Sequence, residues 1–299
     1  MAKGLCATRM QVSGSHLLSL AGLVLLTNHG SSGSGAQFDH VLPLRLQSHF
    51  VRSTTTALHL MTPGVMTTNK RVWLITGTSS SLGHEIARAA LALGDVVVAT
   101  ARDPRKLADL SAAGAITEQL DVTAPDTTLS TTITRIVQRT GTIDVLVNNA
   151  GYILAGAVEE ASRDEAQDQF ATNVFGQLNV ARAVLPHMRR QRSGVIANLG
   201  SMTGWQGGPA VGLYCASKAC AGILSEALRA EVAHLSITVT AVEPGAFRTD
   251  FLAQGHKVRA AKHISELDEG TSGTHDVLPA YNQRQPGDPV KAARLIVEG

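Results

Sequence analysis

Tyr214 and Lys218 stand four residues apart in the run Tyr-Cys-Ala-Ser-Lys. On a helix that spacing puts both side chains on one face. A free tyrosine ionises near pH ~10, too high to exchange a proton readily at neutral pH. A nearby ammonium favours the phenolate, so Lys218 is expected to lower the Tyr214 pKa. Tyr214 would then serve as general acid toward a carbonyl or general base toward an alcohol. Tyr152 and Tyr281 have no lysine four residues on, so neither competes for that role. Taken alone the pair is a weak signal, because a solitary helix tyrosine is usually a packing residue and a helix lysine a solvated one.

A second group of residues could cradle phosphate. The segment Thr76-Gly77-Thr78-Ser79-Ser80-Ser81-Leu82-Gly83-His84 follows an apolar run and opens a helical pattern. In that setting Gly77 allows a tight turn, Gly83 lets helix and strand pack closely, and free amides at the helix start face a pyrophosphate. Dinucleotide folds want another glycine between them, but positions 80 and 81 are both serine. About 20 residues further on, an acid would bind a ribose 2′-OH. The chain has Thr100-Ala101-Arg102 there, and an arginine suits a 2′-phosphate, which its guanidinium can hold in a fork. NADP(H) is therefore expected over NAD(H). Asp103, just before Pro104, is expected to cap a helix instead.

These groups need a scaffold, and the hydrophobic pattern supplies one. Val72–Ile75 is a short continuous apolar run, as expected of a strand buried on both faces. Leu82, Ile86, Ala89, Ala90 and Leu93 line one helix face, and Gly94 marks its stop. Val96–Ala99, Ile116–Val122, Ile143–Val147, Gly194–Leu199 and Ile237–Val242 read as further strands, with helical stretches between them. Strand and helix in alternation predict an α/β, Rossmann-type, doubly wound parallel sheet in a single domain. His84 is expected to be exposed on the first helix turn.

Asn148-Asn149-Ala150-Gly151 closes the fourth strand, Asn173 lies in a predicted helix, and Ser201 follows the fifth strand. Tyr214 and Lys218 open the next helix, and Pro244-Gly245 with Thr249 follows the sixth strand. This ordered set resembles the short-chain dehydrogenase/reductase family from about Arg71 to Thr249. The resemblance implies hydride transfer between NADP(H) or NAD(H) and a carbonyl or secondary alcohol. It implies that Ser201 holds the substrate oxygen, that Lys218 also contacts the nicotinamide ribose, and that Asn173 anchors a water in a proton relay. It assigns cofactor contacts to Gly77, Ser79, Ser81, Leu82, Gly83, Arg102, Asp121, Val122, Asn149, Ala150, Gly151, Tyr214, Lys218, Pro244, Gly245 and Thr249. Ser81 stands where single-domain members carry their middle glycine, so cofactor binding is expected to be weakened but not abolished. The substrate is expected to be small or medium and apolar, of the retinoid, steroid, polyketide or secondary-metabolite kind, and selected by residues 251–286. A homodimer or homotetramer is implied too. The competing reading is a non-catalytic NADP(H)-binding sensor or scaffold, favoured only by the altered glycine loop.

Composition bounds the rest. The 299 residues carry a net charge of +2, which points to no nucleic-acid partner. The three cysteines, Cys6, Cys215 and Cys220, make no disulfide framework, and no Cys or His pairs stand at zinc spacing, so no metal is expected. The longest apolar run, Leu17–Leu26, is about half a bilayer span. Residues 1–65 contain Lys3, Arg9, Arg45 and Arg52 against one acid, Asp39, with Ser-, Thr- and Gly-rich stretches. They read as a disordered leader or as a mitochondrial or secretory address; without an address the protein is expected in the cytoplasm. The catalytic unit is expected over 66–299, with six strands where seven are usual in the family.

Overall fold

A computed structural model describes residues 70–253 and 255–299, together with two three-residue strands, Lys3–Leu5 and Leu25–Thr27, which pair antiparallel. The expectations for the rest of residues 1–65 lie outside the described residues.

Within the unit Val65–Gly299, strand β1 (Val72–Ile75) is buried at every position, as its unbroken apolar sequence requires. It pairs in parallel with β2 (Val96–Ala101) on one side and β4 (Val145–Asn148) on the other, Trp73 lying opposite Val97 and Val145. With β3 (Ile116–Gln119), β6 (Gly194–Leu199) and β7 (Ile237–Val242), these form a six-stranded parallel sheet of order β3-β2-β1-β4-β6-β7. The chain runs outward from β1 to β3, then returns to the far side of β1. The order therefore reverses between β1 and β4, and their carboxyl ends border the crevice where such sheets bind ligands.

Alternate strand residues face opposite layers. Trp73, Ile75, Val97 and Ala99 pack under α1 (Ser81–Ala92), α2 (Ala108–Ala112) and α8 (Pro289–Glu298), whose contributions include Ile86, Ala90, Leu110, Ala293 and Val297. Leu74, Val98, Leu146 and Ile196 pack under α3 (Asp126–Thr140), α5 (Gly176–Gln191) and the end of α6 (Gly212–Val232), with Ile133, Ile136, Val184 and Met188. Local signals set several ends. Gly94 adopts φ +83° just after α1, and Asp288 accepts from the Val290 and Lys291 amides at the start of α8. Asp103 caps a 3-10 turn over Pro104–Leu107.

Four strand ends differ from the apolar runs: β2 continues to Ala101 rather than Ala99 and β4 to Asn148 rather than Val147, and two others are set by single side chains. β3 stops at Gln119 rather than Val122, because Asp121 accepts from both the Thr123 amide and hydroxyl and turns the chain. β4 starts at Val145 rather than Ile143, after Asp144 has accepted from the Val72 amide. Residues 251–286 also hold more order than their mixed composition suggests. β8 (Lys257–Arg259) pairs in parallel with β5 (Ile153–Ala155), and α7 (Asp268–Tyr281) follows. His84 is half-buried rather than exposed, its ring held between Glu85 and Asp109 of α2.

Candidate active site

The crevice is built from two turns that lock together. Gly77 has φ +68°, and a Cβ there would lie 2.8 Å from the Ala150 Cα. At Gly83 a Cβ would collide with the Asn149 side chain and stand 2.8 Å from the Gly77 carbonyl oxygen. Only glycine fits either place. Asn149 donates through Nδ2 to the Thr76 and Gly77 carbonyls at 2.9 Å each. The Thr76 hydroxyl accepts from the Asn149 and Ala150 amides at 3.0 and 3.1 Å. The side-chain amide of Asn149 thus braces the phosphate turn.

Ser81 follows the path a glycine would take, with φ +58°, and its Oγ is buried without a hydrogen-bond partner. Ser79 and Leu82 are half-buried on the same turn. Beyond β2, Arg102 is exposed, its carbonyl accepting from Gln119 Nε2. The carboxylate of Asp103 is taken by Arg105 and lies below its ordinary pKa because of that hydrogen bond. Asp121 is exposed and Val122 is buried against Gly176. On the other flank, Pro244 accepts from the Met202 amide, Gly245 lies beside the Met202 sulfur, and Thr249 caps the turn Asp250–Leu252.

The floor of the crevice holds the side chains expected to be catalytic. Gly151 brings the backbone against Asn173 and Lys218: a Cβ there would lie 3.0 Å from Asn173 Oδ1 and 3.6 Å from Lys218 Nζ. Asn173 occupies a π-helical turn, Ala171–Phe175, between α4 (Arg163–Phe170) and α5. Such single-turn bulges occur often at functional sites. Its amide pairs with both backbone groups of Tyr152, accepting from N–H and donating to C=O at 3.0 Å each, and donates to Ser217 Oγ at 3.0 Å. Lys218 is buried and donates from Nζ to the Leu199 carbonyl at 2.7 Å.

Tyr214 is buried among Ile153, Ala155, Val211 and Phe251. Its ring centre lies 6.2 Å from that of Phe251 and 5.9 Å from Lys218 Nζ. Burial pushes the phenol up to about 12, while the hydroxyls of Ser201 and Thr203 pull the other way. Burial also brings Lys218 down to about 8. The spacing argument led to the opposite expectation for Tyr214. Loss of water dominates the surroundings of the phenol in the folded chain, and the opposing pull comes from hydroxyls rather than from the ammonium.

Thr203 is a residue the sequence reasoning missed. Its amide and its hydroxyl both donate to Ser201 Oγ, at 3.2 and 2.9 Å. The Ser-x-Thr spacing at the start of a 3-10 turn, an ordinary capping pattern, was the available signal.

The family model for short chain dehydrogenases matches residues 71–259. The chain belongs to the short-chain dehydrogenase family. Among its relatives, the oxidoreductase BOA17 of Botryotinia fuckeliana is 36% identical, over 76% of this chain and 84% of the relative. A solved short-chain dehydrogenase from Streptomyces avermitilis is 40% identical with a TM-score of 0.69, covering 76% of this chain and 82% of the other. The NADP-bound structure of ElxO is 28% identical with a TM-score of 0.62, covering 76% and 90%. Structural neighbours include complexes with NADP and with NAD. This short-chain dehydrogenase is thus an oxidoreductase of a family that uses NAD(P)(H). Among the described residues no helix is long and apolar enough to cross a membrane.

Proposed function

We propose that this short-chain dehydrogenase uses NADP(H) to interconvert a carbonyl and a secondary alcohol on a small or medium apolar substrate. The observation that carries the reading is a chain of neighbours: Asn173 and Lys218 lie against Gly151, Lys218 Nζ lies 5.9 Å from the Tyr214 ring centre, and the Ser201 hydroxyl acts on the Tyr214 phenol. The crevice residues suit a dinucleotide: glycine-only passages at Gly77 and Gly83, an unpartnered buried hydroxyl on Ser81, and the exposed guanidinium of Arg102. When bound, the cofactor supplies or accepts the hydride. The residues that would hold it are the phosphate turn with Ser79, Ser81 and Leu82, Arg102 toward a 2′-phosphate, Asp121 and Val122 toward the adenine, and Gly151, Lys218, Pro244, Gly245 and Thr249 toward the nicotinamide end.

Each catalytic side chain has a distinct task. Tyr214, a phenol with a pKa near 12, is protonated at neutral pH and placed to donate to the oxygen of a carbonyl undergoing reduction. Ser201 accepts twice from Thr203, so its own hydrogen is there to give, to the Tyr214 oxygen in the free chain and to the substrate oxygen, where negative charge develops, once a substrate is bound. Lys218 brings a proton-carrying group to the same floor. Asn173 fixes the backbone of Tyr152 beside it. Phe251, Ile153 and Val211 surround Tyr214 with apolar side chains, which supports an apolar substrate.

The test is turnover of NADPH with a broad carbonyl panel by the full chain and by Tyr214→Phe. Wild-type turnover lost in the variant is the expected result. If the wild type binds NADPH yet turns over no carbonyl, the sensor reading replaces this one. For cofactor choice, Arg102→Glu should lower kcat/KM for NADPH on the order of 100-fold while sparing NADH, since it removes one charged fork and adds a repelling charge. Equal losses with both cofactors would count against the assignment.

A further inference from the structure

Residues beyond the sixth strand reach back across the crevice to the phosphate turn. His256 Nε2 and Ser80 Oγ lie 2.7 Å apart, joining positions 176 residues distant in the chain. The His256 carbonyl accepts from the Ile153 amide at 2.8 Å, where β5 begins, and β8 starts at the next residue. The Phe251 ring lies 6.1 Å from the His256 ring and 6.2 Å from that of Tyr214. His256 is thus tied at two points, its carbonyl by the Ile153 amide beside Tyr214 and its ring by a hydroxyl on the turn before α1.

Its surroundings are short of negative charge. Arg102 and Lys106, from the segment after β2, act on the ring with like charge, and Asp250 is the acid that opposes them. Burial and those two cations hold His256 below the ordinary histidine range. One residue along, Ser81 Oγ is buried with no partner. An imidazole, two cations and an orphaned hydroxyl gathered at a helix start form a site that an anion would complete.

We propose that His256 is a cofactor-retaining residue that closes over the diphosphate of the bound dinucleotide and takes up a proton as it does so. The inference rests on the NADP(H) reading above. The diphosphate supplies the missing negative charge, which favours the imidazolium. Protonated, His256 donates from both ring nitrogens, so it can keep Ser80 and reach a phosphate oxygen. Binding is then linked to protonation. Affinity is greatest where His256 is already charged, and falls as pH rises through the ring's pKa in the complex. Retention would also join the two ends of the site, because the same residue is tied to Ile153 beside the Tyr214 pocket.

The experiment uses the full chain, wild type, His256→Ala and His256→Gln, the last keeping a hydrogen-bonding group toward Ser80 without a titratable one. NADPH affinity is titrated by fluorescence between pH 6 and 8, and its release is followed by stopped-flow displacement. Proton uptake is measured calorimetrically in two buffers of different ionisation enthalpy, so that subtracting the His256→Gln value removes the cofactor's own titration. We expect Kd to rise on the order of tenfold in His256→Ala at pH 6.5, mostly through faster release. The wild type should take up more protons than His256→Gln, whose affinity should vary less with pH. Kd values within twofold of wild type, or equal proton uptake, would overturn the proposal. A wild-type chain that binds no NADPH would sink the cofactor reading along with it.

Discussion

Ser81 gives the sharpest test of how the phosphate turn is built, because two separable costs meet on one side chain. Its backbone is left-handed, at φ +58°, which costs a residue with a Cβ roughly 1–2 kcal/mol. Its hydroxyl is buried without a partner, a loss of about 1–3 kcal/mol. Ser81→Ala removes only the second cost. Ser81→Gly removes both, less roughly 0.5–1 kcal/mol for the extra freedom of glycine in the unfolded chain. With the hydroxyl cost taken at the lower end of its range, the expected gains in the cofactor-free protein are about 1 kcal/mol for alanine and about 2 kcal/mol for glycine. At roughly 2–4 °C per kcal/mol for a domain of this size, Tm should climb by about 3 °C and then about 6 °C. Calorimetry on the three cofactor-free proteins, backed by urea unfolding, decides the matter. The reasoning fails if alanine matches glycine, which would show no backbone strain, or if neither variant exceeds the wild type.

Lys218 should leave a mark on stability against pH. Its folded pKa is depressed from 10.5 to about 8, so between those values the unfolded chain binds more protons and stability rises with pH. Tyr214, raised from 10.0 to about 12, acts in the opposite sense from pH 10 upward. The clean window is thus pH 8 to 10, where the wild type should gain up to about 3 kcal/mol and Lys218→Met should stay nearly flat; parallel urea-denaturation curves for the two would refute this. Thr203 should matter to turnover rather than to binding. Thr203→Val should lower kcat on the order of tenfold, about 1.4 kcal/mol of barrier, with NADPH affinity unchanged and Thr203→Ser restoring activity. A valine variant with full kcat would show that Ser201 needs no such partner.

Strand identity was legible where apolar residues ran on unbroken, as in Val72–Ile75, or alternated with polar ones, as in Ile237–Val242. Val72–Ile75, Gly194–Leu199 and Ile237–Val242 are strands over the ranges their sequences predict. Sequence patterns misplaced the ends set by single side chains. Asp121 and Asp144 decide where β3 and β4 finish and begin through hydrogen bonds that hydrophobicity does not encode. The β5–β8 pair was invisible for a further reason. Each strand is three residues long and its partner is about 100 residues away, so neither carries a period of its own. A separation of 176 residues hid the His256–Ser80 contact in the same way.

The reactive floor shows where reasoning from neighbours in sequence stops. Tyr214 and Lys218 do share a helix, as four-residue spacing requires, yet spacing says nothing of water. The fold buries both, and desolvation disfavours the charged form of each, moving the phenol up and the ammonium down. Each shift favours the neutral form, so at neutral pH the pair is a phenol beside an ammonium that gives up its proton more readily than a free lysine. A proton donor is what carbonyl reduction needs of Tyr214. Alcohol oxidation needs the phenolate, and the cofactor-free chain holds the phenol far from it. The two hydroxyls that oppose the upward shift belong to Ser201 and Thr203, the same pair whose hydrogen bonds leave Ser201 free to donate. Stabilising the oxygen of Tyr214 and polarising the oxygen of a substrate therefore draw on one small cluster of hydroxyl groups. If Tyr214 and Ser201 act as proposed, that cluster, more than the tyrosine–lysine spacing, tunes the chemistry of this floor.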